Sequence, residues 1–548
     1  MLTTVAEKIV EQLSELGVRF IYGIPGWSNL PIIDALRKEK KIKFILTRQE
    51  QTAAFMASAH AKLTGDIGVC LSIVGSGATN LITGLMDAAT DKAPVLALAG
   101  QVSLDFLGKE SFQEINQIEL FNSFTVFNEL MVKPNQSINL LILAVKKAYA
   151  NHGVSLLSLP SDILAEKVEV SILKKENIIF KNTVVPTDEG IKKFVNRINE
   201  SKRPIILGGW GIRNCGEALL SFANKISAPI ATTSRAKGII NENDPLSIGV
   251  LGSLGCRHTV NAMKKADLLI IIGSGFRQNK LIPNIPIIQI DLNEAKLGKE
   301  FPIERGLTGN AKPILEKINS IVKMKKPDNT FFHNVNKLKR QYLKEIDEDS
   351  KKIIEPIFPG FVIQAIKRNA KRNAIICIDC GDHTYWFYKK FICEGEKTLH
   401  SANLSSMGFA FPAALASQLD FPKKQVICIT GDGGFGMVMA DFTTAVLYKL
   451  PIKVILFNDN KFKNIKKSQI MQGYKEFSTD LVNPNFSDYA KSCGGEGFRV
   501  EKPEELDKTL RQAFNLDKPV IVEIIVDREK LAPWRSRFWN YIPFRKIL

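Results

Sequence analysis

The sequence predicts an α/β protein built from three doubly wound parallel-sheet domains, and three observations lead there. The chain has 548 residues, well beyond the size at which one hydrophobic core stops growing. Apolar runs of strand length alternate with stretches of helical periodicity in three separate tracts. Such alternation implies parallel strands with helices covering both faces of each sheet.

The first tract spans residues 1–165. Its opening, MLTTVAEKIVEQLSELGV, reads as an amphipathic helix with acidic residues interspersed, unlike a secretory leader or a transit peptide. Strands are expected at Arg19–Tyr22, Lys43–Leu46, Gly68–Ser72, Pro94–Leu98 and Ser155–Leu159. Helices are expected at Asn29–Lys38, Gln51–Thr64, Thr79–Thr90 and Asn139–Asn151. Residues 166–187 are polar and lysine-bearing and read as a linker. The second tract, 188–320, holds strands at Pro204–Leu207, Pro229–Thr232, Leu268–Ile272 and Ile287–Ile290. A lysine-rich, partly helical connection follows from Val322 to Ile357. The third tract, 359–532, holds strands at Ala374–Ile378, Gln425–Thr430, Lys453–Phe457 and Val520–Ile525, leaving a tail at 533–548.

Composition narrows the function. Hydrophobic residues make up 45% and charged residues 24%, ordinary for a soluble globular protein. No apolar run is long enough to span a bilayer, so a cytoplasmic location is expected. The net charge is +18, but the lysines are spread along the chain without an aromatic-basic RNA motif, which argues against nucleic acid. The excess charge fits first a Lys-, Ile- and Asn-rich proteome such as a thermophile's, and second attraction of anionic substrates and cofactors. The eight cysteines are scattered. Cys377 and Cys380 lie in a buried-strand pattern, AIICIDC, and no second pair or histidine cluster completes a zinc site.

The most informative stretch is QVICITGDGGFGMVMADFTTAVLYKLPIKVILFNDN. A buried strand runs into Gly431-Asp432-Gly433-Gly434, a helix follows, and a second buried strand ends at Asn458-Asp459. Glycines let the backbone turn sharply and approach a ligand. Asp432 and Asp459 then stand at the carboxyl ends of parallel strands, the usual ligand crevice of open α/β sheets. Hard oxygen ligands beside an anion suit Mg²⁺.

This arrangement resembles the diphosphate-binding motif of the thiamine-diphosphate enzymes. The resemblance implies metal ligation by Asp432, by Asp459 in place of the family's asparagine, and by the carbonyl of Lys461. The extra negative charge of Asp459 is expected to strengthen metal binding and to repel the diphosphate. Gly431, Gly433, Gly434 and His383 (in Gly381-Asp382-His383, where the family has GQH) would approach the diphosphate. In HSANLSSMGFAFPAALASQ, Met407 matches the residue that bends the cofactor, and the Ser405 carbonyl matches the acceptor of its amino group.

The first tract is similar to the same family's pyrimidine-binding domain. Glu50, in FILTRQEQTAAFMASAHAKLTG, matches the glutamate that bonds the aminopyrimidine. Gly26 of GIPG, Gly75 and Asn80 of GSGATN, and Phe112 and Gln113 of SFQE match the loops around the reactive ring. The family's active centres lie between chains, which implies a homodimer or homotetramer.

The second tract resembles the FAD-type middle domain of acetolactate synthases and pyruvate oxidases, including the quinone-reducing pyruvate dehydrogenases. Gly209, Gly211, Arg213, Thr233, Gly252, Gly273, Phe276 and Asp291 fall in the matching turns. The resemblance therefore implies three cofactors, thiamine diphosphate, Mg²⁺ and FAD, and a 2-oxo acid substrate, expected to be pyruvate. FQEINQIELF and HGVSLLSLPSDI point to the oxidases, while GATNLITGL and LAGQV point to acetolactate synthase. Trp27 replaces a small residue after GIPG. An indole there would narrow a substrate cavity and hinder a second 2-oxo acid, so oxidation is the expected outcome and carboligation the alternative. A non-catalytic homologue acting as a binding or regulatory subunit would be expected to lose Glu50 or Asp432, and both are present. The tail, PWRSRFWNYIPFRKIL, interleaves aromatic and basic residues, a pattern that fits either a membrane interface and a quinone or packing against the body.

Overall fold

The computed structural model describes residues 3–180, 182–275 and 281–533. Three six-stranded sheets form the frame, and every pairing within them is parallel. In the first sheet the spatial order is Lys43–Leu46, Phe20–Gly23, Gly68–Ser72, Val95–Gln101, Val154–Pro160, Thr125–Leu130. In the third it is Lys397–His400, Ile375–Ile378, Val426–Gly431, Lys453–Asn458, Val520–Ile525, Glu496–Val500. Counted along the chain, both read 2-1-3-4-6-5. The middle sheet runs Ser247–Val250, Ile230–Thr232, Pro204–Gly208, Leu268–Ile272, Ile287–Asp291, Arg305–Thr308, which reads 3-2-1-4-5-6, the order of dinucleotide-binding folds.

The interior strands form where the sequence is almost wholly apolar, because helices bury both faces. Leu268–Ile272 and Val154–Pro160 are buried throughout. Five strands beyond those expected complete the sheets: Thr125–Leu130, Ser247–Val250, Arg305–Thr308, Lys397–His400 and Glu496–Val500. The expected helix Thr79–Thr90 is two, Ser76–Asn80 and Ile82–Thr90. Within the lysine-rich connection a helix runs over Asn329–Ser350. In the stretch read as a linker, Lys167–Val168 pairs antiparallel with Thr3–Thr4. Among the described residues no helix is long and apolar enough to cross a membrane.

The first and third sheets share one apolar core. Helices Glu50–Thr64 and Ala410–Asp420 pack directly, with Phe55 and Phe409 edge-to-face at 5.7 Å. Polar clamps flank that contact: Arg48 N donates to Asp441 Oδ1 at 2.7 Å, and Arg19 pairs with Asp420 at 2.8 Å. The middle sheet keeps cores of its own on its two faces.

Asp91 joins all three parts. Its carboxylate meets Lys62 at 2.7 Å and lies 3.9 Å from Arg235 of the middle part. It also accepts the Ala402 and Asn403 backbone N–H groups at 3.1 Å. Lys62 pairs with Asp87 as well, at 2.6 Å. Burial alone would raise Asp91, but Lys62, Arg235 and the Ala402 N–H outweigh it and hold the carboxyl well below its ordinary range. Asp91→Ala is expected to cost about 3 kcal/mol, because it strips a partner from the buried Lys62 and the half-buried Arg235. The depressed folded-state value means this contribution is complete above the ordinary carboxyl value of 3.8 and fades as pH falls further. Urea titrations at pH 7 and pH 3 would check both the size and the sign; equal penalties at the two values would show a packing effect instead.

Candidate active site

In sheets of these orders, ligands bind beyond the carboxyl ends of the strands, where neighbouring connections leave in opposite directions. Each sheet here has one such point, and the residues singled out from sequence gather at all three.

In the third sheet the point lies between Ile375–Ile378 and Val426–Gly431. A cavity of about 160 Å³ opens there, bounded by Gly381-Asp382-His383, Met407, Gly431–Gly434, Asp459 and Lys461. Gly434 permits a close approach, since a Cβ there would come within 2.6 Å of the buried Asp379 carboxylate. Asp379 Oδ2 also accepts Gly408 N at 3.1 Å and Thr430 Oγ1 at 2.9 Å, which pins the Met407 loop to the Gly431 turn. Ser405 lies on that loop at φ +56°. His383 is buried, and burial drops its imidazole to about 4, so the ring is neutral at physiological pH.

Asp432 and Asp459 face the same cavity. Burial and then the Asp459 carboxylate push Asp432 up to about 7. Burial also raises Asp459, although Lys463 pulls the other way at 2.7 Å. The buried Asp432 carboxylate and the half-buried Asp459 carboxylate, with Lys461 on the same cavity wall, form an oxygen donor set suited to a hard divalent cation. A metal there would relieve the repulsion that raises Asp432, so the residues present fit the ion. Lys463 and Asn483 carry no sequence signal for this place. Asn483 Nδ2 donates to Asp432 Oδ2 at 2.7 Å. Asp382, which departs from the family pattern, accepts Trp386 Nε1 at 2.8 Å and Ala532 N at 3.1 Å, holding the segment before the tail against the cavity rim. Cys380 lies beyond the strand and lines the cavity instead of filling the core.

The first sheet's point lies between Phe20–Gly23 and Gly68–Ser72. Glu50 is buried at the first position of its helix, with Asn80 Nδ2 donating to it at 3.1 Å. Gly77, not singled out from sequence, lies against it: a Cβ there would come within 2.9 Å of Glu50 Oε1. Gly26 packs on Ile73, and Gly75, at φ +68°, packs on Gln113. Gln113 itself adopts φ +64° and accepts the Trp27 indole N–H at 2.7 Å. Phe112 stands 80% exposed beside them. None of these residues lines the cavity of the third sheet in the same chain.

In the middle sheet the point lies between Pro204–Gly208 and Leu268–Ile272. Gly209, Gly211 and Gly273 converge there, and a Cβ on Gly211 would come within 2.6 Å of Gly273 Cα. That contact explains the glycines by backbone proximity with or without a ligand. Arg213 and Arg235 flank the Trp210 ring at 5.5 and 4.7 Å. Thr233 N donates to Gly208 O at 2.9 Å, and Gly252 has φ +128°. Asp291 ends its strand, raised by burial. Phe276 lies outside the described residues, as do residues 534–548 of the tail.

Comparison with known proteins gives three family matches. Residues 3–120 match the thiamine pyrophosphate enzyme N-terminal TPP binding domain, 191–318 the central domain and 379–524 the C-terminal TPP binding domain. YdaP of Bacillus subtilis (strain 168), whose thiamine pyrophosphate content is named only provisionally, is 36% identical over 100% of this chain and 95% of its own. The acetolactate synthase large subunit of Corynebacterium glutamicum is 31% identical, covering 96% of this chain and 87% of its own. Pyruvate oxidase of Lactiplantibacillus plantarum is 28% identical, covering 96% and 89%.

The raised Asp432 has a measurable consequence in protein freed of metal and cofactor. Its charge opposes folding fully above about pH 7 and not at all below the ordinary value of 3.8. Asp432→Asn should therefore stabilise the stripped protein at pH 8 by roughly 1–3 kcal/mol. Near pH 4 the gain should vanish. Denaturant melts with a chelator present would show this, and a gain independent of pH would count against the electrostatic cause.

Proposed function

The chain belongs to the thiamine pyrophosphate enzymes, acting on 2-oxo acids, and on that premise we propose that it decarboxylates pyruvate with Mg²⁺ and passes the electrons to FAD. The observation that carries the cofactor reading is the convergence of Asp432 and Asp459 at the switch point of the third sheet. When bound, thiamine diphosphate supplies the carbanion and the electron sink for loss of CO₂. Asp432, Asp459 and the Lys461 carbonyl would hold the metal. Met407 would set the bend of the cofactor, and the Ser405 carbonyl would accept from its amino group. Glu50 would share a proton with the aminopyrimidine, oriented by Asn80 and given room by Gly77.

A homodimer or homotetramer is supported by the separation of the two half-sites. Glu50 and Gln113 belong to one edge and the Asp432 cavity to another, and no residue of the first sheet lines that cavity. Large apolar side chains stand exposed beside both: Trp27 and Phe112 near one, Ile465, Phe477 and Val482 near the other. Pairing two copies would cover both patches and complete two centres.

FAD is supported by the 3-2-1-4-5-6 order of the middle sheet, the order of dinucleotide-binding folds. Oxidation is preferred because the Trp27–Gln113 hydrogen bond draws the indole across the first-sheet loops and leaves less room for a second 2-oxo acid. Carboligation is the second reading, favoured by the higher identity to a named acetolactate synthase than to the named pyruvate oxidase. A cytoplasmic location agrees with the charge and composition.

Glu50→Gln should retain thiamine diphosphate and lose about 10²–10⁴-fold in turnover, the usual size of a general acid–base contribution. Cofactor-saturated rates that match the parent would remove Glu50 from proton transfer. The deciding experiment for the fate of the substrate is product analysis with pyruvate, with and without an artificial electron acceptor. Acceptor-dependent acetate or acetyl phosphate supports oxidation, and acceptor-independent acetolactate establishes carboligation. In the same assay Trp27→Gly should shift products towards acetolactate; an unaltered ratio would show that the indole does not limit the cavity.

A further inference from the structure

The departure at Asp459 has a partner. Lys463 is buried, begins the helix Lys463–Met471 one turn after Asp459, and lines the same cavity as Asp432 and Asp459. Its ammonium meets Asp459 Oδ2 at 2.7 Å and donates to the Asp527 carbonyl at 2.8 Å. A cation at a helix N-terminus opposes the helix dipole, so the position is unfavourable unless a local anion holds it.

The neighbouring lysines are committed elsewhere. Lys461 pairs with Asp480 at 2.8 Å and with Glu476. Lys466 pairs with Glu529 at 2.6 Å. Lys467 donates to the Ala532 carbonyl at 2.8 Å. Of the ion pairs made by Lys461, Lys463 and Lys466, that of Lys463 is the one directed at a carboxylate of the expected metal set.

We propose that Lys463 is a fixed counter-cation of the diphosphate site: it neutralises Asp459 and presents a positive charge to the cofactor's diphosphate. The inference rests on reading this cavity as the thiamine diphosphate site. Two carboxylates alone would attract the metal strongly and repel the anion that must share it. Lys463 leaves the pair with one net negative charge. It competes with a metal for Asp459 and attracts the diphosphate. Its two effects therefore have opposite signs.

That opposition is testable by binding, apart from turnover. Mn²⁺ alone, followed by electron paramagnetic resonance, reports the metal. Thiamine diphosphate at saturating Mg²⁺, followed by calorimetry, reports the anion. Lys463→Gln should bind Mn²⁺ about tenfold more tightly and thiamine diphosphate about tenfold more weakly, as expected when one close charge is removed from a partly screened site. The double variant Asp459→Asn/Lys463→Gln restores the net charge and should return both affinities to within about threefold of the parent. Unchanged thiamine diphosphate affinity in Lys463→Gln, or a fall in both affinities together, would overturn the proposal. If Lys463→Gln does not fold, Asp459→Asn is compared with the double variant. Asp459→Asn should then bind thiamine diphosphate about tenfold more tightly, and equal affinities would overturn the proposal. Absence of thiamine diphosphate binding by the parent would instead overturn the cofactor reading, and this inference with it.

Discussion

The buried carboxylate of Asp91 is the point through which the three sheets are held in one arrangement. It takes a lysine from its own part of the chain, an arginine from the middle and two backbone N–H groups from the third. Those two N–H groups belong to Ala402 and Asn403, just before the loop of Ser405 and Met407. The geometry of that loop is thus set from the first sheet as well as by Asp379. An ion cluster this dry adds little net stability over an apolar filling. What it adds is specificity of position, because misaligned sheets would leave Lys62 and Arg235 without their partner.

Each sheet brings its chemistry to one edge. Parallel strands all end on the same side, and the reversal of winding parts two neighbouring connections there. The Gly26 and Gly75 loops, the Gly209 and Gly273 turns, and the Gly381 and Gly431 turns occupy these three partings. On the proposed reading these are the places for a ring and its carboxylate, for a dinucleotide and for a metal with a diphosphate.

The alternation of buried runs makes the three sheets and most interior strands legible in the sequence. Asp432 and Asp459 stand out because a glycine turn and a strand end mark such places, whereas Glu50 stands out only through the resemblance of its whole neighbourhood to the family. The five strands without a clear sequence signal all lie at or beside a sheet edge: Thr125–Leu130 and Glu496–Val500 are examples. With fewer covering neighbours their faces are part polar, and the apolar run that marks an interior strand disappears. Lys463, Asn483 and Asp91 are not legible for another reason. The roles of Asn483 and Asp91 arise from contacts such as Arg235 with Asp91, 144 positions apart, and local pattern carries no information about such distances. The charge of Asp459 looks like an uncompensated cost in the sequence; its compensation stands four residues later, in a helix that the apolar pattern does not reveal.

The shared core of the outer sheets and the separate cores of the middle one have an evolutionary consequence. Phe55 and Phe409 bind the first and third parts into a single apolar unit, so a mutation on either side of that contact must be answered on the other. The middle sheet closes its cores with its own residues and the adjoining helix. Apart from the turn that carries Arg235, selection can therefore alter its loops without disturbing the apolar contact between the first and third parts. The architecture couples the two outer parts closely and leaves the middle part freer to drift.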